Sequence, residues 1–379
     1  MNYITLKDVC NINMGQSPDS KSYNEFQDGI PFFQGNADFG ERYPITRIWC
    51  NAPTKTAKKD DILISVRAPI GALNYAKETC CIGRGLAAIT PDKTKVATEF
   101  IFWLLKGKNQ ELNQLGTGST FKAISKKVLE NIRIPEIPLE KQIEYSNILE
   151  KIYSIITHRK QQLEKLDLLV KARFVEMFGD PNDTSRDKEK RHKIGELCDV
   201  TKLAGFEFTE YINYQDSGEI IMLRGLNCKQ GKLILDNVKY IDRETSHKLP
   251  RSRLYIGDIL MTYAGTIGDV AMVDENDKYH LAPNVAKISI INKKKLSPVF
   301  LVHLFMYSHD YIMSFVSQVA QASINMQKIR NFEYAIPSIE EQYEFEKFVQ
   351  QVDKSRVAIQ NDLEQAQMLF DSLMQEYFG

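Results

Sequence analysis

Two long stretches of the chain, residues 139–179 and 339–379, repeat the same alternation of apolar and polar positions. In both, apolar residues recur at alternating spacings of three and four, which is the a/d pattern of a coiled coil. Neither stretch has an internal Gly or Pro, and both end in Phe-Gly. The apolar seam comprises Leu149, Ile152, Ile156, Leu163, Leu166 and Val170 in the first stretch, and Val349, Val352, Ile359, Leu363, Phe370 and Leu373 in the second.

Each stretch predicts a helix of about 40 residues, which would rise roughly 60 Å. One apolar seam on an isolated helix has nothing to bury against, whereas two matched seams in one chain can bury each other. We therefore predict an intramolecular coiled coil; the alternative is a core helix in each of two ordinary domains. Arg159, Arg173 and Arg356 also occupy seam positions. They either control the register of the pairing or extend from the edge of the seam toward solvent.

The repetition extends upstream of the helices, which indicates a duplicated domain. The matching segments are LKDVCNI (6–12) with IGELCDV (194–200), IPFFQGN (30–36) with IIMLRGL (220–226), DILISVRAPIG (61–71) with DILMTYAGTIG (258–268), GLAAI (85–89) with NVAKI (284–288), and FIFWLLK (100–106) with FLVHLFM (300–306). The offset between copies grows from 188 to 200 residues. Such drift is expected when two copies keep their cores and vary their loops.

These segments predict two copies of a mixed α/β (α+β) domain, each followed by a long helix. DILISV and DILMTY are typical of strands, and FIFWLLK and FLVHLFM of short buried helices, the second capped by Ser297. Ser125 and Asn325 are expected to cap a further short helix in each copy. The predicted division is residues 1–138 (first domain), 139–179 (central long helix), 180–192 (polar linker), 193–338 (second domain) and 339–379 (C-terminal long helix).

The totals allow two or three domains, since the chain has 379 residues, of which 43% are hydrophobic. No apolar run reaches the length of a membrane span, and the N-terminal residues lack the pattern of a signal peptide. We therefore expect a cytoplasmic protein with no membrane partner. Six cysteines, Cys10, Cys50, Cys80, Cys81, Cys198 and Cys228, lack zinc-ligand spacing. They are predicted to be reduced and buried, with a redox pair at Cys80 and Cys81 as the alternative.

The charge is unevenly distributed, although Lys plus Arg and Asp plus Glu both number 49. Residues 338–379 hold nine acidic and three basic residues, a net charge of −6, so the remainder of the chain carries +6. The globular parts are therefore mildly basic, which is compatible with a nucleic-acid partner.

Catalytic motifs are not found in the sequence. There is no Pro-Pro pair of the kind an amino-group methyltransferase of DNA requires, and no glycine-rich turn has dinucleotide spacing. Asp92 with Lys95, and Glu275 with Asp277 and Lys278, are weak matches to the carboxylate cluster of a metal-dependent nuclease. We predict no catalytic residue and no metal site.

Candidate DNA-binding residues lie at equivalent places in the two copies. Base edges are read by Arg, Lys, Asn and Gln side chains held on a rigid scaffold, whereas phosphates require cations. The candidates are Gln34, Asn36, Arg67, Arg84, Lys122, Lys126 and Lys127 in the first copy, and Arg224, Asn227, Lys229, Tyr263, Asn284, Gln327, Lys328 and Arg330 in the second. The framework around these positions repeats while the positions themselves differ, as expected if the two copies read different sequences.

The duplicated unit resembles the specificity subunit of type I restriction-modification systems. The resemblance rests on the DIL strand, on IPLEKQ and IPSIEEQ leading into the long helices, on the FGD and FG endings, and on the duplication, and it covers essentially the whole chain. The second copy's AIPSI is less proline-rich than the first copy's IPEIP, which affects only the approach to the second helix.

The resemblance implies two target recognition domains, each reading one half of a bipartite site in double-stranded DNA. It also implies an antiparallel coiled coil that sets the spacer and docks two modification (methyltransferase) subunits, with a restriction subunit as a further partner. The modification subunits are expected to methylate adenine with S-adenosylmethionine. S-adenosylmethionine, ATP and magnesium are expected only in those partners, and this chain is expected to be non-catalytic. The alternatives are a stand-alone DNA methyltransferase or nuclease half, and a coiled-coil adaptor that binds only protein.

Overall fold

The computed structural model describes residues 2–118, 122–185, 190–317 and 322–379. The chain divides into two compact units, one formed by Met1–Gln161 with Gln360–Gly379 and the other by Gln162–Ile359. Each unit therefore combines one globular domain with one half of each long helix.

The first copy contains the following elements: β1 (Tyr3–Thr5), α1 (Leu6–Val9), β2 (Cys10–Met14), β3 (Tyr23–Asn24), β4 (Ile30–Phe33), β5 (Trp49–Cys50), β6 (Thr56–Ala57), β7 (Ile62–Ser65), β8 (Leu73–Tyr75), β9 (Cys80–Ile82), β10 (Leu86–Pro91), α2 (Thr98–Gly107), α3 (Asn109–Gln114), α4 (Lys126–Glu130), β11 (Arg133–Pro135) and α5 (Leu139–Phe178). Short 3-10 turns cover Ser20–Ser22 and Asn36–Asp38.

The second copy contains β12 (Arg191–Lys193), α6 (Ile194–Leu197), β13 (Cys198–Lys202), α7 (Gly205–Tyr211), β14 (Ile220–Leu223), β15 (Cys228–Lys229), β16 (Lys232–Leu233), β17 (Lys239–Ile241), α8 (Arg243–Lys248), β18 (Ile259–Thr262), β19 (Val270–Met272), β20 (Tyr279–Leu281), β21 (Val285–Ile290), α9 (Pro298–Tyr307), α10 (His309–Met313), α11 (Met326–Arg330), β22 (Glu333–Ala335) and α12 (Ile339–Phe378). Further 3-10 turns cover Gly225–Asn227 and Pro250–Ser252.

Sheet topology repeats between the copies. An antiparallel sheet of order β2-β10-β7-β8 in the first copy matches β13-β21-β18-β19 in the second. A smaller antiparallel pair, β1 with β11, matches β12 with β22. A parallel pair, β4 with β9, matches β14 with β20. The predicted duplication of a mixed α/β domain is therefore present in the fold, and every paired sequence segment occupies equivalent elements.

Predicted helix boundaries agree closely with the structure. The two long helices each contain 40 residues, and they end at Phe178 and Phe378. The Ser297 side chain caps α9 by accepting a hydrogen bond from the backbone of Phe300, and Asn325 caps α11 in the same way. Ser125 precedes α4, but its side chain makes no capping hydrogen bond.

The core of the first unit is built on α2 and on its own halves of the long helices. Trp103 is fully buried and lies edge-on to Phe370, with ring centroids 5.6 Å apart. The predicted seam residues Leu149, Ile152 and Ile156 belong to the same apolar cluster. The long helices therefore contribute to the domain core rather than only flanking it.

Phe174 of α5 belongs to the core of the second unit. It is 1% exposed, and its ring centroid lies 5.6 Å from that of Phe300 and 5.3 Å from that of Phe345. Val170, Val349 and Val352 join this cluster. The remaining predicted seam residues, Leu163, Leu166, Ile359, Leu363 and Leu373, are half-buried, whereas Phe370 is buried.

Each seam arginine forms an ion pair with the opposite long helix. Arg159 contacts Asp362 at 2.9 Å, Arg173 contacts Glu344 at 2.8 Å, and Arg356 contacts Asp167 at 2.7 Å. Their guanidinium groups extend to the edge of the seam, where carboxylates of the other helix meet them.

Asn182, in the polar segment that follows α5, forms a hydrogen bond with the second domain. The Asn182 amide donates to the backbone oxygen of Tyr307 at 2.8 Å. Arg191 and His192, predicted as linker, belong to β12 because they pair with β22. Residues 186–189 of the predicted linker lie outside the described residues. Within the described ranges, no helix combines the length and apolar character needed to cross a membrane.

Candidate nucleic-acid interface

Backbone hydrogen bonds bring three loops of the first copy together. Gly83, after β9, donates to Phe33 at 2.8 Å, and Gly85 donates to Gln34, after β4, at 3.1 Å. Val66, after β7, donates to Gly85 at 2.9 Å. The loops that carry the predicted residues Gln34, Arg67 and Arg84 therefore form one continuous surface, named here the first recognition surface.

Ser17 links two of these predicted residues, and sequence reasoning missed it. Its hydroxyl donates to Gln34 Oε1 at 3.0 Å and accepts from the backbone N–H of Arg84 at 3.3 Å. Gln34 and Arg84 are both exposed, and Ser17 is half-buried. Ser17 is 17 residues from Gln34 and 67 residues from Arg84 in the sequence, so no local pattern could have indicated the link.

Arg67 and Lys122 extend the same surface as a pair of neighbouring cations. Arg67 forms a backbone bridge with Ala123, and the backbone N–H of Ala68 donates to the oxygen of Lys122 at 3.1 Å. Arg67, Arg84 and Lys122 are exposed and have no ion-pair partner among the residues that the structure describes. Two adjacent unpaired cations suit a phosphate backbone.

The other predicted residues of the first copy, Asn36, Lys126 and Lys127, differ in exposure and in ion pairing. Asn36 begins the 3-10 turn after β4 and is half-buried. Lys126 and Lys127 open α4 and are exposed, with Lys126 lying 3.7 Å from Glu130. An exposed ion pair of this kind is weak, so it leaves Lys126 available to an anion.

In the second copy, different side chains contact each other where the equivalent loops meet. The backbone N–H of Tyr263 donates to the oxygen of Asn284 at 3.0 Å, and the backbone N–H of Asn284 donates to Tyr263 Oη at 3.3 Å. Lys202 Nζ lies 5.4 Å from the centre of the Tyr263 ring. Asn284 holds φ at 67°, a left-handed conformation that Asn tolerates better than most residues. The second recognition surface is therefore centred on Tyr263, Asn284 and Lys202.

Arg224 and Asn227 support the loop that follows β14. Asn227 is 0% exposed; its Nδ2 donates to Ile234 O at 2.7 Å, and its Oδ1 accepts from the backbone of Arg224 at 3.0 Å. Arg224 Nη2 donates to Asn237 O at 2.7 Å. The buried Asn227 amide is not available to a base edge in this conformation, whereas Lys229 on the same loop is exposed.

The predicted residues around α11 also differ in how accessible their side chains are. Gln327 is exposed and donates to Asn331 Oδ1 at 3.2 Å. Lys328 Nζ donates to Phe315 O at 2.6 Å, and Arg330 donates to the backbone oxygen of Val200. Lys328 and Arg330 therefore hold neighbouring segments of the domain together, and Gln327 is the more accessible of the three.

A second cationic cluster lies where the loop after β4 meets α5. Arg42 contacts Glu150 at 2.6 Å, and Lys106 Nζ lies 3.8 Å from the ring centre of Tyr153. Arg42, Lys106 and Tyr153 line a cavity of about 350 Å³. Burial, and next the charge of Arg42, lower the pKa of Lys106 to about 8, while Glu150 opposes the shift. Sequence reasoning missed this cluster because Arg42 and Glu150 are 108 residues apart.

Cysteines and metal ligands form no reactive cluster in the part of the chain that the structure describes. All six cysteines are free and buried, as predicted. Burial raises the pKa of the Cys10, Cys198 and Cys228 thiols to about 12, so they stay protonated and unreactive at neutral pH. Within the same residues, no group of three or more His, Cys, Asp or Glu side chains could hold a metal ion.

A family model matches both copies of the domain. The model, described as the type I restriction modification DNA specificity domain, matches residues 1–166 and again residues 187–366. A putative type I restriction enzyme MjaX specificity subunit of Methanocaldococcus jannaschii is 46% identical over 156 residues, 41% of this chain and 37% of its own length. The type I restriction enzyme EcoBI specificity subunit of Escherichia coli is 24% identical over an alignment covering 99% of this chain and 85% of its own length.

A solved structure shares the fold across the whole chain. The S subunit of a type I restriction-modification system from M. genitalium superposes with a TM-score of 0.61 at 14% sequence identity, covering 100% of this chain and 96% of its own. The similarity to the MjaX subunit, by contrast, spans little more than a third of that relative's length.

Proposed function

The chain belongs to the type I restriction-modification DNA specificity family, and we propose that it is the subunit that selects the DNA target of such a complex. As a member of this family it is a non-catalytic subunit. Each of its two domains reads one half of a bipartite site in double-stranded DNA. The observation that carries this proposal is the pair of recognition surfaces, which have the same backbone framework and different side chains.

The differences between the surfaces fall where base contacts would be made. Gln34 in the first copy corresponds to Arg224 in the second, Arg67 to Ala264 and Arg84 to Pro283. Tyr263 and Asn284 stand where the first copy has Val66 and Gly85. Hydrogen bonds to base edges carry sequence information, whereas the framework only positions them. Two frameworks with unlike side chains therefore suit a target whose two halves differ.

We also propose that α5 and α12 pair as an antiparallel coiled coil that sets the spacer between the half-sites. Contacts inside each unit support this pairing. In the first unit Tyr145 stacks on Tyr377 and Arg159 meets Asp362; in the second, Phe174 packs on Phe345. As the residue in α5 moves from 145 to 159 to 174, its partner in α12 moves back from 377 to 362 to 345, as antiparallel packing requires.

Exposed apolar side chains on the long helices support the docking of two modification subunits. Those on α5 are Leu139, Ile143, Ile155, Leu168, Leu169 and Val175, and those on α12 are Tyr343, Val357, Met368 and Leu369. Apolar residues exposed along a helix mark surfaces for further helices. In this proposal the modification subunits supply S-adenosylmethionine chemistry, a restriction subunit supplies the ATP-dependent step, and magnesium belongs to those partners.

The decisive experiment exchanges residues 1–138 for those of a relative with a different target. The hybrid is assembled with its modification subunits, and methylated adenines are mapped on genomic DNA by sequencing. We expect one half-site to change while the other half-site and the spacer stay the same. A change in both half-sites would refute the division of reading between the domains. Methyl transfer by the pure chain alone would refute a non-catalytic role.

A further inference from the structure

The side-chain amide of Gln34 is held in one orientation by a short chain of hydrogen bonds. The backbone N–H of Arg84 can only donate, and it donates to Ser17 Oγ at 3.3 Å. The hydroxyl hydrogen of Ser17 is then directed to Gln34 Oε1 at 3.0 Å. The carbonyl oxygen of Gln34 is therefore engaged within the protein, and its NH₂ group is left for a ligand.

Gly83 provides the space that this orientation requires. A Cβ atom on Gly83 would lie 2.4 Å from Gln34 Oε1, which is far inside van der Waals contact. The Gln34 carbonyl therefore lies directly against the backbone of Gly83, while the side chain as a whole is exposed. A larger residue at position 83 would displace the amide and release its orientation.

Two exposed arginines lie on the turns that adjoin Gln34. Arg84 follows Gly83 on the same turn and is exposed without an ion-pair partner among the described residues, as is Arg67 on the adjoining loop. One oxygen of the Asp38 carboxylate, Oδ2, is engaged with the backbone, since it accepts from the N–H groups of Gln34 at 2.8 Å and Gly35 at 3.3 Å. The first recognition surface therefore offers hydrogen-bond donors to a base edge.

The bases differ in the hydrogen-bond donors and acceptors that they present in the major groove. Guanine presents two acceptors, N7 and O6, whereas adenine presents one acceptor and one donor. A glutamine reads adenine by donating from its nitrogen and accepting with its oxygen, but Ser17 and the adjoining backbone of Gly83 hold the oxygen of Gln34 against the protein. Building on the proposed function, we propose that Ser17, Gln34 and Arg84 form a subsite that selects guanine in the half-site read by the first domain.

The second surface lacks this arrangement and serves as an internal control. Tyr263 Oη accepts from the backbone of Asn284, and the Asn284 side chain offers both a donor and an acceptor. Changes at Ser17 or Gln34 are therefore expected to leave the second half-site unaffected.

The test uses the full chain assembled with its modification subunits. The wild-type target is first mapped from methylated adenines; relative affinities are then measured on duplexes substituted at each position of the first half-site. Ser17→Ala removes the hydroxyl that holds Oε1 and frees the amide to turn over. We expect it to reduce the preference for guanine over adenine at one position by about tenfold, within the range for a bidentate base contact.

A second variant replaces the hydrogen-bond donor at position 34 by an acceptor. Gln34→Glu replaces the donating NH₂ by an acceptor, so the preference at that position is expected to shift from guanine toward cytosine, whose N4 group donates. Thr54→Val is the matched control, because it removes a hydroxyl that donates to Gln16 O at 2.7 Å in the same loop without touching Gln34. It is expected to retain the wild-type preference.

The outcomes separate this proposal from the proposed function. If the wild-type assembly binds all duplexes equally, the chain is not the specificity subunit. If it binds one target specifically but Ser17→Ala and Gln34→Glu leave base preference unchanged at every position, the guanine subsite is wrong. Unchanged preference at the second half-site, measured on the same samples, shows that the variants are folded and assembled.

Discussion

Tyr145 and Tyr377 lie face to face, with ring centroids 3.8 Å apart and ring planes within 3° of parallel. The first residue is in the second turn of α5, and the second is in the last turn of α12. Their contact joins the start of α5 to the end of α12 inside the first unit. Burial, and next the nearby Glu376, raise the pKa of Tyr377, so its phenol remains neutral at physiological pH.

This stacking predicts a measurable coupling between the two helices. Tyr145→Ala and Tyr377→Ala should each lower the free energy of unfolding, and the double variant should lose about 0.5–1.5 kcal/mol less than the sum of the single losses. Denaturant titration of all four proteins measures the coupling. Ile143→Ala is the control on the same turn, since Ile143 is 46% exposed and should couple weakly to Tyr377. Strictly additive losses at Tyr145 and Tyr377 would contradict the contact.

Replacing the buried Asn227 is expected to lower the stability of the protein without changing its base preference. Asn227→Ala removes the buried amide that donates to Ile234 O and accepts from the backbone N–H of Arg224, which lose these partners. An unsatisfied buried polar group costs about 1–3 kcal/mol, so the thermal midpoint should fall by several degrees. Binding to substituted duplexes should keep the wild-type order of preference. Lys229→Ala, on the exposed part of the same loop, should show the opposite result: near-normal stability with weakened DNA binding.

The sequence predicted correctly those helices that are specified by a local pattern of residues. The periodicity of residues 139–179 predicted α5 to within a residue, and the position of Ser297 predicted the start of α9. The second copy also contains α7, which is absent from the corresponding part of the first copy and was not predicted. A segment of seven residues has little periodicity of its own, and its Phe208 packs against an apolar cluster that includes Ile220 and Met222 of β14.

The candidate site was predicted less completely, because its geometry depends on distant pairs. Gln34 and Arg84 could be proposed from their positions after strands, but the role of Ser17 required the fold. Asn227 satisfied the same sequence criteria as Gln34 and proved to be buried. Residue type and position after a strand indicate where a loop lies; whether a side chain faces solvent is decided by tertiary packing.

Lys106 predicts how the stability of the first unit depends on pH. Its pKa is 10.5 in the unfolded chain and about 8 in the fold, chiefly because of burial. Between these values the unfolded chain binds one more proton, so the free energy of unfolding rises as pH increases from 8 to 10.5. Below pH 8 both states are protonated, and the full penalty of burying the charge is present.

Replacing this lysine should therefore stabilise the protein at neutral pH. Lys106→Met keeps the apolar stem and removes the buried charge, and we expect a thermal midpoint a few degrees higher at pH 7, with a smaller gain between pH 8 and 10. Lys93→Met, at an exposed position, should follow the wild-type pH profile. A lower midpoint for Lys106→Met at pH 7 would show that the contact with Tyr153 outweighs the cost of burial.

Arg67 and Lys122 predict a change in the salt dependence of DNA binding. Each phosphate neutralised by a side chain contributes about 0.9 to the slope of log affinity against log salt concentration. Arg67→Ala and Lys122→Ala should each lower that slope by about this amount and weaken binding similarly on all duplexes. Lys354→Ala on α12 is the control and should leave the slope unchanged. A variant that altered base preference while preserving the slope would assign that residue to a base instead.

The long helices predict that target spacing can be lengthened without changing either half-site. One heptad inserted after Gln161 in α5, and one after Ile359 in α12, preserves the a/d phase of both seams where the two units divide. Seven residues add about 10.5 Å of helix, close to the rise of about 3 base pairs. Mapping of methylated adenines should therefore give the original half-sites separated by about three more base pairs. A heptad in α5 alone is the control, because it shifts one seam against the other and should impair folding or assembly. Retained methylation with an unchanged spacer in the double insertion would mean that the paired helices do not determine the spacing.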